Sequence, residues 1–405
     1  SHQLFVSCGL GTGREGQLPL YRHADQDLKM HIARLLFQNF RNFQSLDLHL
    51  DQGFVVLTGP NGAGKTNFLE GIYFGSTLRK FPESKFGQLF LEGRNFLRAK
   101  IELENREPVV QEVYAEYRET RPIYKLKVNG QETPRSKYAG ILPIVSFVPQ
   151  DLNILTRSPS NRRRFLSETL SLGTRQYRYA QQQYEKSLRQ RNELWQKISG
   201  QGRERIDDEK LGLPEMDIWD EKLAEFGSLI CQHRDNLLKY LNASLPAIIA
   251  SLSPELTEVK FVYRMSGAVN KQEFLEKLRS LRQTERQRGT TLLGPHRDDF
   301  ATLLQGKDVV GFVSRGQMRS LTLALKFTEK QYLEEQTGES PIMLLDDIFS
   351  EFDFEHQKKL TGFLSILKQV FLTTIHLEEV QDFLPKRAQV YAVNQGAVTS
   401  TAINV

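Results

Sequence analysis

The stretch GPNGAGKTNF, at residues 59–68, constrains the fold of this chain more than any other feature. Gly59 and Gly64, followed by Lys65 and Thr66, match the spacing G-x-x-x-x-G-K-[ST], in which a glycine-rich turn directs backbone N–H groups at phosphate oxygens. An apolar run precedes it at residues 54–58, and apolar residues at helical spacing follow it. The order predicts a buried strand, a phosphate-binding loop and a helix whose N-terminus faces the bound anion.

The loop also assigns chemical roles to its residues. Lys65 is expected to neutralise the β- and γ-phosphates, and Thr66 to offer its hydroxyl to a magnesium ion. ATP and Mg²⁺ are therefore the predicted cofactors. The predicted nucleotide-binding residues of the loop are Asn61, Gly62, Ala63, Gly64, Lys65, Thr66 and Asn67.

A second part of the same site is predicted in PIMLLDDIF, at residues 341–349. Four apolar residues form a buried strand, and two carboxylates follow at its carboxyl end, where open α/β sheets bind their ligands. We assign Asp346 to the metal ion and Asp347 to the water that attacks the γ-phosphate.

A separate helix start at SRGQ, residues 314–317, is a third element of the prediction. A serine hydroxyl and glycine N–H groups at a helix N-terminus form an anion site of their own. Because the loop already holds the phosphates, this second site can grip the γ-phosphate bound to another subunit, with ATP sandwiched between two chains. The predicted contacts are Ser314, Gly316 and Gln317.

The remaining sequence divides into segments of different character. Its 405 residues are 39% hydrophobic and 25% charged, which suits a folded protein of two or three domains. Residues 1–29 lack a sustained period and are interpreted as a tag, leader or upstream extension. Residues 30–157 are predicted to form an α/β nucleotide-binding lobe with an antiparallel flap, 158–290 a helical arm, and 291–405 the completion of the lobe. Strands are expected there in DDFATLLQ, VVGFV, PIMLLDDIF, QVFLTT and AQVYAV.

Composition narrows the class of protein further. There is no apolar run of eighteen residues, so no membrane span or membrane partner is predicted. The two cysteines, Cys8 and Cys231, cannot build a disulfide framework and suit the reducing cytoplasm. The formal charge of +5 permits binding to nucleic acid.

Arginine clusters in the helical segment are candidates for contacts to DNA phosphates. Tyrosines interleave with the second cluster, although helical arginines more often form a solvated face. The predicted DNA-binding residues are Arg162, Arg163, Arg164, Arg175, Arg178, Arg189 and Arg282, with Arg191 in the same run. His296 and Arg297 in GPHRDDF have two open interpretations, bracing of the junction between lobes or contact with nucleotide or DNA.

The motifs together resemble those of ABC-type ATPases. SRGQ is similar to their signature motif, and SEFD at residues 350–353 to the D-loop that follows their metal-binding strand. Gln150 resembles their Q-loop glutamine, which implies a role at the metal and γ-phosphate and in coupling to the helical lobe. His376 lies near the place of their switch histidine, with Thr374 as the alternative.

The chain resembles one family within this group, the bacterial RecF recombination mediators, across residues 30–405. The resemblance is carried by MHIARLLFQNFRNF, FVPQDLNILTRSPSNRRRFLSETL, RGTTLLGPHRDDF, the SRGQ helix and LLDDIFSEFD. Gln150 stands where that family commonly has glutamate. The resemblance implies a dimer that closes on two ATP molecules, binds double-stranded DNA at gaps, and cooperates with RecR and RecO in loading RecA. It also implies slow, DNA-stimulated ATP hydrolysis that resets the clamp. The alternative is another ABC-type ATPase subunit that drives a motor or transporter.

Overall fold

The computed structural model describes residues 30–118, 121–199, 213–352 and 354–401. The expected leader at 1–29 and the last D-loop residue, Asp353, lie outside the described residues. Within the described part there are fifteen strands: β1 (His31–Phe40), β2 (Phe43–His49), β3 (Gly53–Thr58), β4 (Phe96–Glu104), β5 (Val109–Arg118), β6 (Arg121–Val128), β7 (Gln131–Glu132), β8 (Ile144–Phe147), β9 (Val259–Arg264), β10 (Asp299–Leu304), β11 (Lys307–Asp308), β12 (Ile342–Leu345), β13 (Gln369–Thr374), β14 (Gln389–Asn394) and β15 (Ala397–Thr401).

The α-helices of the same part range from single turns to forty residues. They are α1 (Lys65–Thr77), α2 (Arg135–Tyr138), α3 (Asn153–Thr156), α4 (Pro159–Gly173), α5 (Arg175–Ser199), α6 (Leu213–Leu252), α7 (Lys271–Arg288), α8 (Arg315–Thr337) and α9 (Phe354–Leu364). None of the helices in the described ranges is long and apolar enough to cross a lipid bilayer.

A six-stranded sheet in the order β15-β14-β3-β13-β12-β8 forms the centre of the protein. All neighbouring pairs except β14 and β15 are parallel. The parallel strands β3, β13, β12 and β8 are buried on both faces, as expected for such strands. In β3, Phe54 and Val56 enter the core on the helical side, whereas Val55 and Leu57 enter the core on the opposite side. One sheet therefore joins two hydrophobic cores.

An antiparallel sheet in the order β2-β1-β4-β5-β6-β7 covers one of these cores and packs against α1. Gln369 at the start of β13 ties the two sheets together, because its side-chain amide donates to Ile32 O at 2.9 Å and accepts from Ile32 N at 2.8 Å. Gln369 is fully buried. The flap is thus fixed to the central sheet by hydrogen bonds as well as by packing.

The helices α4, α5, α6, α7 and α8 pack together on the other face of the central sheet. Two of the strands expected after residue 290 are corrected here. DDFATLLQ forms β10, but it joins a separate three-stranded sheet, β11-β10-β9, instead of the central sheet. Its partner β9 lies within the mostly helical segment 158–290. VVGFV is not a strand, because the chain turns after Asp308.

The parallel arrangement decides where the functional residues lie. The strands β3, β13, β12 and β8 run in one direction, so their carboxyl ends meet at one edge of the sheet. The loop at Gly59, the residues after β13, the carboxylates after β12 and the turn at Gln150 all follow those ends.

Candidate nucleotide site

The phosphate loop depends on glycine at positions where no other residue fits. Gly59 has φ +149°, and a Cβ there would lie 2.4 Å from Val393 O. Gly64 has φ +112°, and a Cβ there would lie 2.3 Å from the Asn42 side-chain nitrogen. At both positions the positive φ disfavours residues other than glycine, and a side chain would also overlap a neighbouring atom. Asn61 and Gly62 are exposed at the tip of the loop.

Asn42, in the turn between β1 and β2, supports the loop from the side. Its Nδ2 donates to Ala63 O at 3.0 Å, and its Oδ1 accepts from Asn67 Nδ2 at 2.9 Å. The flap sheet therefore holds the loop and the first turn of α1. The motif spacing does not predict this contact, since Asn42 lies seventeen residues before the motif; the polar turn in NFRNF was the available signal.

Lys65 lies at the start of α1 with its ammonium group turned back onto the loop. Its Nζ donates to Gly59 O at 2.6 Å and to Pro60 O at 3.1 Å. Burial lowers the pKa of Lys65, while the nearby carboxylates of Asp347 and Asp346 raise it. The side chain is thus a desolvated cation whose interaction with phosphate oxygens is strengthened by its low-dielectric surroundings.

Asp346 brings the two predicted halves of the site into contact. Thr66 Oγ1 donates to both carboxylate oxygens of Asp346, at 2.8 and 3.0 Å, and Thr373 Oγ1 donates to Oδ1 at 2.7 Å. Asp346 is 7% exposed, and burial is the main cause that raises the pKa of its carboxyl. Thr373 is a further site residue that the motif spacing does not predict, although it is a polar residue ending a buried strand.

These oxygen atoms fit a magnesium ion. Mg²⁺ prefers oxygen ligands and is commonly held by few protein groups together with phosphates. The Thr66 hydroxyl and the buried Asp346 carboxylate meet at hydrogen-bond distance, and a cation would offset the desolvation of that carboxylate. Within the described ranges, groups of three or more His, Cys, Asp or Glu able to hold a metal are absent.

Asp347 follows in a left-handed conformation, with φ +50°. Aspartate tolerates this region better than most residues. The Asp347 N–H donates to Thr373 Oγ1 at 2.9 Å, so one hydroxyl orients both consecutive aspartates. Asp347 is half-buried and acts electrostatically on Lys65. Its position beside the lysine and the loop suits a group that orients or deprotonates a water.

Two further predicted residues follow neighbouring strands at the same edge. Gln150 lies in the 3₁₀ turn Pro149–Leu152, which follows β8, and it is partly exposed. His376 is exposed just beyond β13. The alternative switch residue, Thr374, is buried and donates its hydroxyl to His376 O at 3.0 Å. The threonine hydroxyl is therefore engaged by its own turn, whereas the imidazole is open to solvent.

The helix start at SRGQ is built as an open N-terminus on the helical side of the protein. Ser314 caps α8: its Oγ accepts from Gln317 N at 3.2 Å, and its N–H donates to the Gln317 side chain at 2.9 Å. Ser314, Arg315 and Gly316 are exposed. The first N–H groups of a helix lack partners within the helix, so they can donate hydrogen bonds to an external anion.

Several of the arginines predicted to contact DNA have guanidinium groups that are engaged within the protein. Arg162 forms a bidentate pair with Asp299 at 2.6 and 3.0 Å, and Arg163 donates to Asp298 O at 2.9 Å. Arg178 donates to the backbone oxygen of Ser171. Further, Arg282 pairs with Asp217 and Asp220, and Arg191 is fully buried. By contrast, Arg175 and Arg189 are exposed, and Arg164 is partly exposed beside Glu168.

The GPHRDDF motif lies at the centre of the arm, which favours the bracing interpretation. The fully buried Asp298 accepts from Arg234 at 3.0 Å and from the backbone N–H of Ser266 at 2.8 Å. The Tyr184 hydroxyl and His296 Nδ1 are 2.7 Å apart, and His296 Nε2 lies 3.2 Å from Thr291 O. Because Nε2 can only donate to that carbonyl, Nδ1 accepts from the tyrosine in the neutral ring.

The sequence of the chain is similar to known proteins over almost the whole of the described part. Residues 31–399 match the family described as the RecF/RecN/SMC N terminal domain. The protein called DNA replication and repair protein RecF from Moorella thermoacetica is 33% identical over 369 residues, covering 91% of this chain and 96% of the relative. The protein of the same name from Bacillus cereus is also 33% identical, over 378 residues, covering 91% and 98%.

Solved structures give the same result. A structure of the recombination mediator protein RecF-ATP in the RecFOR pathway superimposes with a TM-score of 0.82 at 27% identity, covering 94% of this chain and all of the other. An Smc head domain from Pyrococcus furiosus superimposes with a TM-score of 0.51 at 15% identity, which shows likeness of fold alone. The α/β architecture interrupted by helices is therefore that of an ABC-type ATPase head.

Proposed function

This chain belongs to the RecF family of DNA replication and repair proteins, and on that premise we propose that it is an ATP-dependent, dimerising DNA-binding recombination mediator. Two observations support the proposal. Thr66 and Thr373 both donate to Asp346 at the end of the phosphate loop, and the helix that begins after Ser314 has an exposed N-terminus on another part of the chain. The first is half of an ATP site, and the second is suited to complete that site in a partner molecule.

The roles of the residues follow from their surroundings. The loop N–H groups and Lys65 bind the phosphates. Thr66 and Asp346 would hold Mg²⁺, with Gln150 placed at the same edge of the sheet, and the bound ion would neutralise charge on the phosphates. Asp347 accepts a proton from the water that attacks the γ-phosphorus, and ADP leaves as the bridging P–O bond breaks. His376 is the proposed switch residue near the γ-phosphate.

Hydrolysis in this proposal requires a second copy of the chain. Ser314, Gly316 and Gln317 of one protomer bind the γ-phosphate of ATP held by the other, so two molecules of ATP close two equivalent sites. A site that is complete only in the dimer makes association dependent on ATP. Slow hydrolysis then acts as a timer that opens the dimer, and stimulation by DNA ties that timer to the bound substrate.

The DNA surface is proposed on one face of α5. Arg175, Tyr179, Gln182, Lys186 and Arg189 recur at intervals of three or four residues, and all five are exposed. Tyr179 keeps 57% of its surface open to solvent. Side chains of this kind bind phosphates and sugars and carry little sequence information, which suits recognition of duplex structure over sequence.

The cellular setting follows from the family. We propose that the protein acts in the cytoplasm with RecR and RecO to place RecA on gapped DNA, and that it recognises the double-stranded DNA beside the gap. Two of the similar solved structures are of the recombination mediator protein RecF in the RecFOR pathway. The alternative of a motor or transporter subunit has no separate observation in its favour.

The test is equilibrium binding to a fluorescent duplex with a single-stranded gap, compared with ATP, with ADP and without nucleotide, all in the presence of Mg²⁺. The proposal predicts tight binding with ATP, weaker by about tenfold or more with ADP or without nucleotide, since only ATP closes the dimer. Equal affinity in all three conditions would show that nucleotide does not control DNA binding.

A further inference from the structure

Aromatic rings lie along the surface where α5 and α6 pack together. Tyr179 of α5 is 57% exposed, and its ring contacts that of Phe226 in α6, with centroids 5.9 Å apart and ring planes at 82°. An edge-on contact of this kind covers at most one flat face of the tyrosine. Trp219 and Phe226 are partly exposed, and Lys222 between them is exposed. We call Tyr179, Trp219, Lys222 and Phe226 the aromatic seam.

The two helices of the seam run antiparallel. Near the start of α5, the Tyr177 ring contacts that of His233, far along α6, with centroids 5.8 Å apart. Further along α5, the Arg191 side chain donates to Asp220, near the start of α6, at 2.6 Å. Later residues of α5 therefore lie beside earlier residues of α6.

This course orders the seam into two levels. Trp219 lies two turns before Phe226, so both project from the same side of α6. Lys186 lies two turns after Tyr179 on the exposed face of α5. Tyr179 and Phe226 form one level, and Trp219 lies near the level of Lys186, about 10 Å away along the helices. A ligand with repeating units can therefore contact both levels.

Cations accompany the rings at each level. The Lys222 ammonium lies over the indole of Trp219, with Nζ 5.0 Å from the ring centroid. Lys222 and Lys186 are exposed, and so is Arg175 in the first turn of α5. The exposed carboxylate of Glu215, one turn before Trp219, marks the end of this cationic stretch. The seam therefore combines flat apolar surfaces with positive charge.

Single-stranded nucleic acid is the ligand that fits this combination. Its unpaired bases present flat π faces, and its backbone carries a negative phosphate at every nucleotide. Stacking on aromatic side chains needs no particular base sequence, because every base has a flat face. In a duplex the bases are already stacked on one another, so a duplex offers phosphates to the cations but no free face to the rings. The rings therefore favour an unpaired strand.

We propose that the aromatic seam is a binding site for single-stranded nucleic acid. Unpaired bases stack on Tyr179 and Trp219, Phe226 supports the tyrosine ring from the side, and Lys186 and Lys222 contact the phosphates. The inference deepens the proposed function and rests on it, because it adds a site for the unpaired strand of gapped DNA beside the face of α5 proposed for the duplex. Tyr179 and Lys186 lie where that face meets the seam.

The test compares two ligands that differ only in their bases. A fluorescent twelve-residue oligothymidylate and an abasic oligomer of the same length are titrated with the full chain, and anisotropy reports binding. The wild type should bind the oligothymidylate about tenfold or more tightly than the abasic oligomer, because stacking contributes at each ring. Tyr179→Ala should reduce this preference about tenfold, whereas Tyr179→Phe keeps the ring and should keep the preference. Both changes are at an exposed side chain, so both variants should fold.

The emission of Trp219 reports stacking directly. The chain has two tryptophans, and Trp195 is 4% exposed, so in Trp195→Phe the emission comes from Trp219 alone. The oligothymidylate should quench this emission, because a base stacks on the indole, and the abasic oligomer should not. If Trp195→Phe does not fold, the anisotropy of the Tyr179 variants still decides the proposal.

Tyr117→Ala is the matched control, since it removes an exposed tyrosine of the flap and should keep the wild-type preference. Equal affinity of the wild type for the two oligomers, or an unchanged preference in Tyr179→Ala, overturns the seam as a binding site. An equal loss in Tyr117→Ala and Tyr179→Ala also overturns it, because the loss would then be general.

The seam lies within one chain, so the preference for bases should be present with and without ATP. A gapped duplex that binds equally well in both conditions would contradict the proposed function. The comparison of the two oligomers would then still decide whether the seam binds unpaired bases.

Discussion

At the scale of single residues, the site depends on polar side chains that buried strands place close together. Thr373 contacts both consecutive aspartates, because the residues after β12 and the last residues of β13 lie side by side in parallel strands. Each of these groups is partly or wholly desolvated, so each hydrogen bond and charge has more effect than at the surface.

The Lys65→Ala variant should lose nucleotide affinity. Removal of the ammonium group from the phosphate loop is expected to weaken ATP binding about a hundredfold, or about 3 kcal/mol, because the bonds it makes to phosphate are charge-assisted. Isothermal titration with ATP·Mg²⁺ measures this directly. Lys125→Ala, which removes an exposed lysine of the flap sheet, should bind as the wild type does. Wild-type affinity in Lys65→Ala would remove the lysine from the site.

A pH dependence of stability is expected from His296. Burial lowers the pKa of His296 to about 4, below the value of about 6.5 for an unperturbed histidine. Between these values the unfolded chain binds a proton that the folded protein excludes, so stability falls as the pH falls from 6.5 towards 4 and no penalty exists above this range. Relative to His296→Asn, the wild type should lose about 2 to 3 kcal/mol between pH 7 and pH 4.5.

Denaturant unfolding at the two pH values measures the difference. The matched control is His49→Asn, which replaces an exposed histidine and should keep the wild-type dependence. The same pH dependence in His296→Asn and in the wild type would show that His296 is protonated in the folded state.

Local spacing predicts the site residues that belong to a short motif and misses those that the assembled fold brings together. The loop, Lys65, Thr66 and the two aspartates were predictable because each belongs to a short motif beside a buried strand. Asn42 and Thr373 were not, because their contacts form only when separate strands are assembled. The arginines show the same limit: Arg162 finds its carboxylate 137 positions away, and Arg282 finds Asp220 at a separation of 62. Composition cannot distinguish such a paired arginine from a solvated one.

At the scale of secondary-structure elements, two helices present the surfaces proposed for dimerisation and for DNA binding. The helix α8 presents its capped N-terminus, and α5 presents a basic face.

Ser314→Arg should separate ATP binding from dimerisation. The substitution removes the cap of α8, at a cost of about 1 kcal/mol, and places a bulky side chain where the partner's phosphate is proposed to lie. ATP affinity of the monomer should stay within about twofold of the wild type, since the loop is untouched, while ATP-dependent dimerisation should be lost. Analytical ultracentrifugation distinguishes the monomer from the dimer. Ser365→Arg, at an exposed serine after α9, is the control. Dimerisation of Ser314→Arg with ATP would contradict the sandwich.

The basic face of α5 is tested by reversing its charge. Arg175→Glu combined with Arg189→Glu should weaken DNA binding about tenfold or more and lower the slope of log affinity against log salt by roughly 2, because each phosphate contact releases counterions. Fluorescence anisotropy over a series of salt concentrations provides both values. The same reversal at exposed Arg94 and Lys125 of the flap region changes the net charge equally and should have little effect. Equal loss in both double variants would indicate a nonspecific effect of net charge.

Helices and long strands were predictable from periodicity, whereas the small sheet of the arm was not. The alternation in β9 covers only six residues within a helical region, and β11 has two residues. Such strands are stabilised by their partner β10 and not by their own sequences. The short apolar run VVGFV shows the opposite error, since a β-branched composition favoured a strand where the chain turns.

At the scale of the whole molecule, one parallel sheet is shared by two hydrophobic cores and carries the nucleotide site at the edge between them. Residues at that edge therefore contact both the flap, through Asn42, and the helical side, through the turn at Gln150. The Ser314 helix start belongs to the helical side, which is why we propose that a second copy of the chain completes the ATP site.

The proposed mechanism depends on ATP joining two copies of this chain. The most direct test is the molecular mass of Asp347→Asn in solution, by analytical ultracentrifugation, with and without ATP·Mg²⁺ and then with a short gapped duplex. The variant should bind ATP without cleaving it, because the group that accepts the proton from water is lost. We expect a monomer of 46.7 kDa without nucleotide, a stable dimer with ATP, and a dimer bound to the duplex when DNA is added. A mass that is the same with and without ATP would show that ATP does not join two chains.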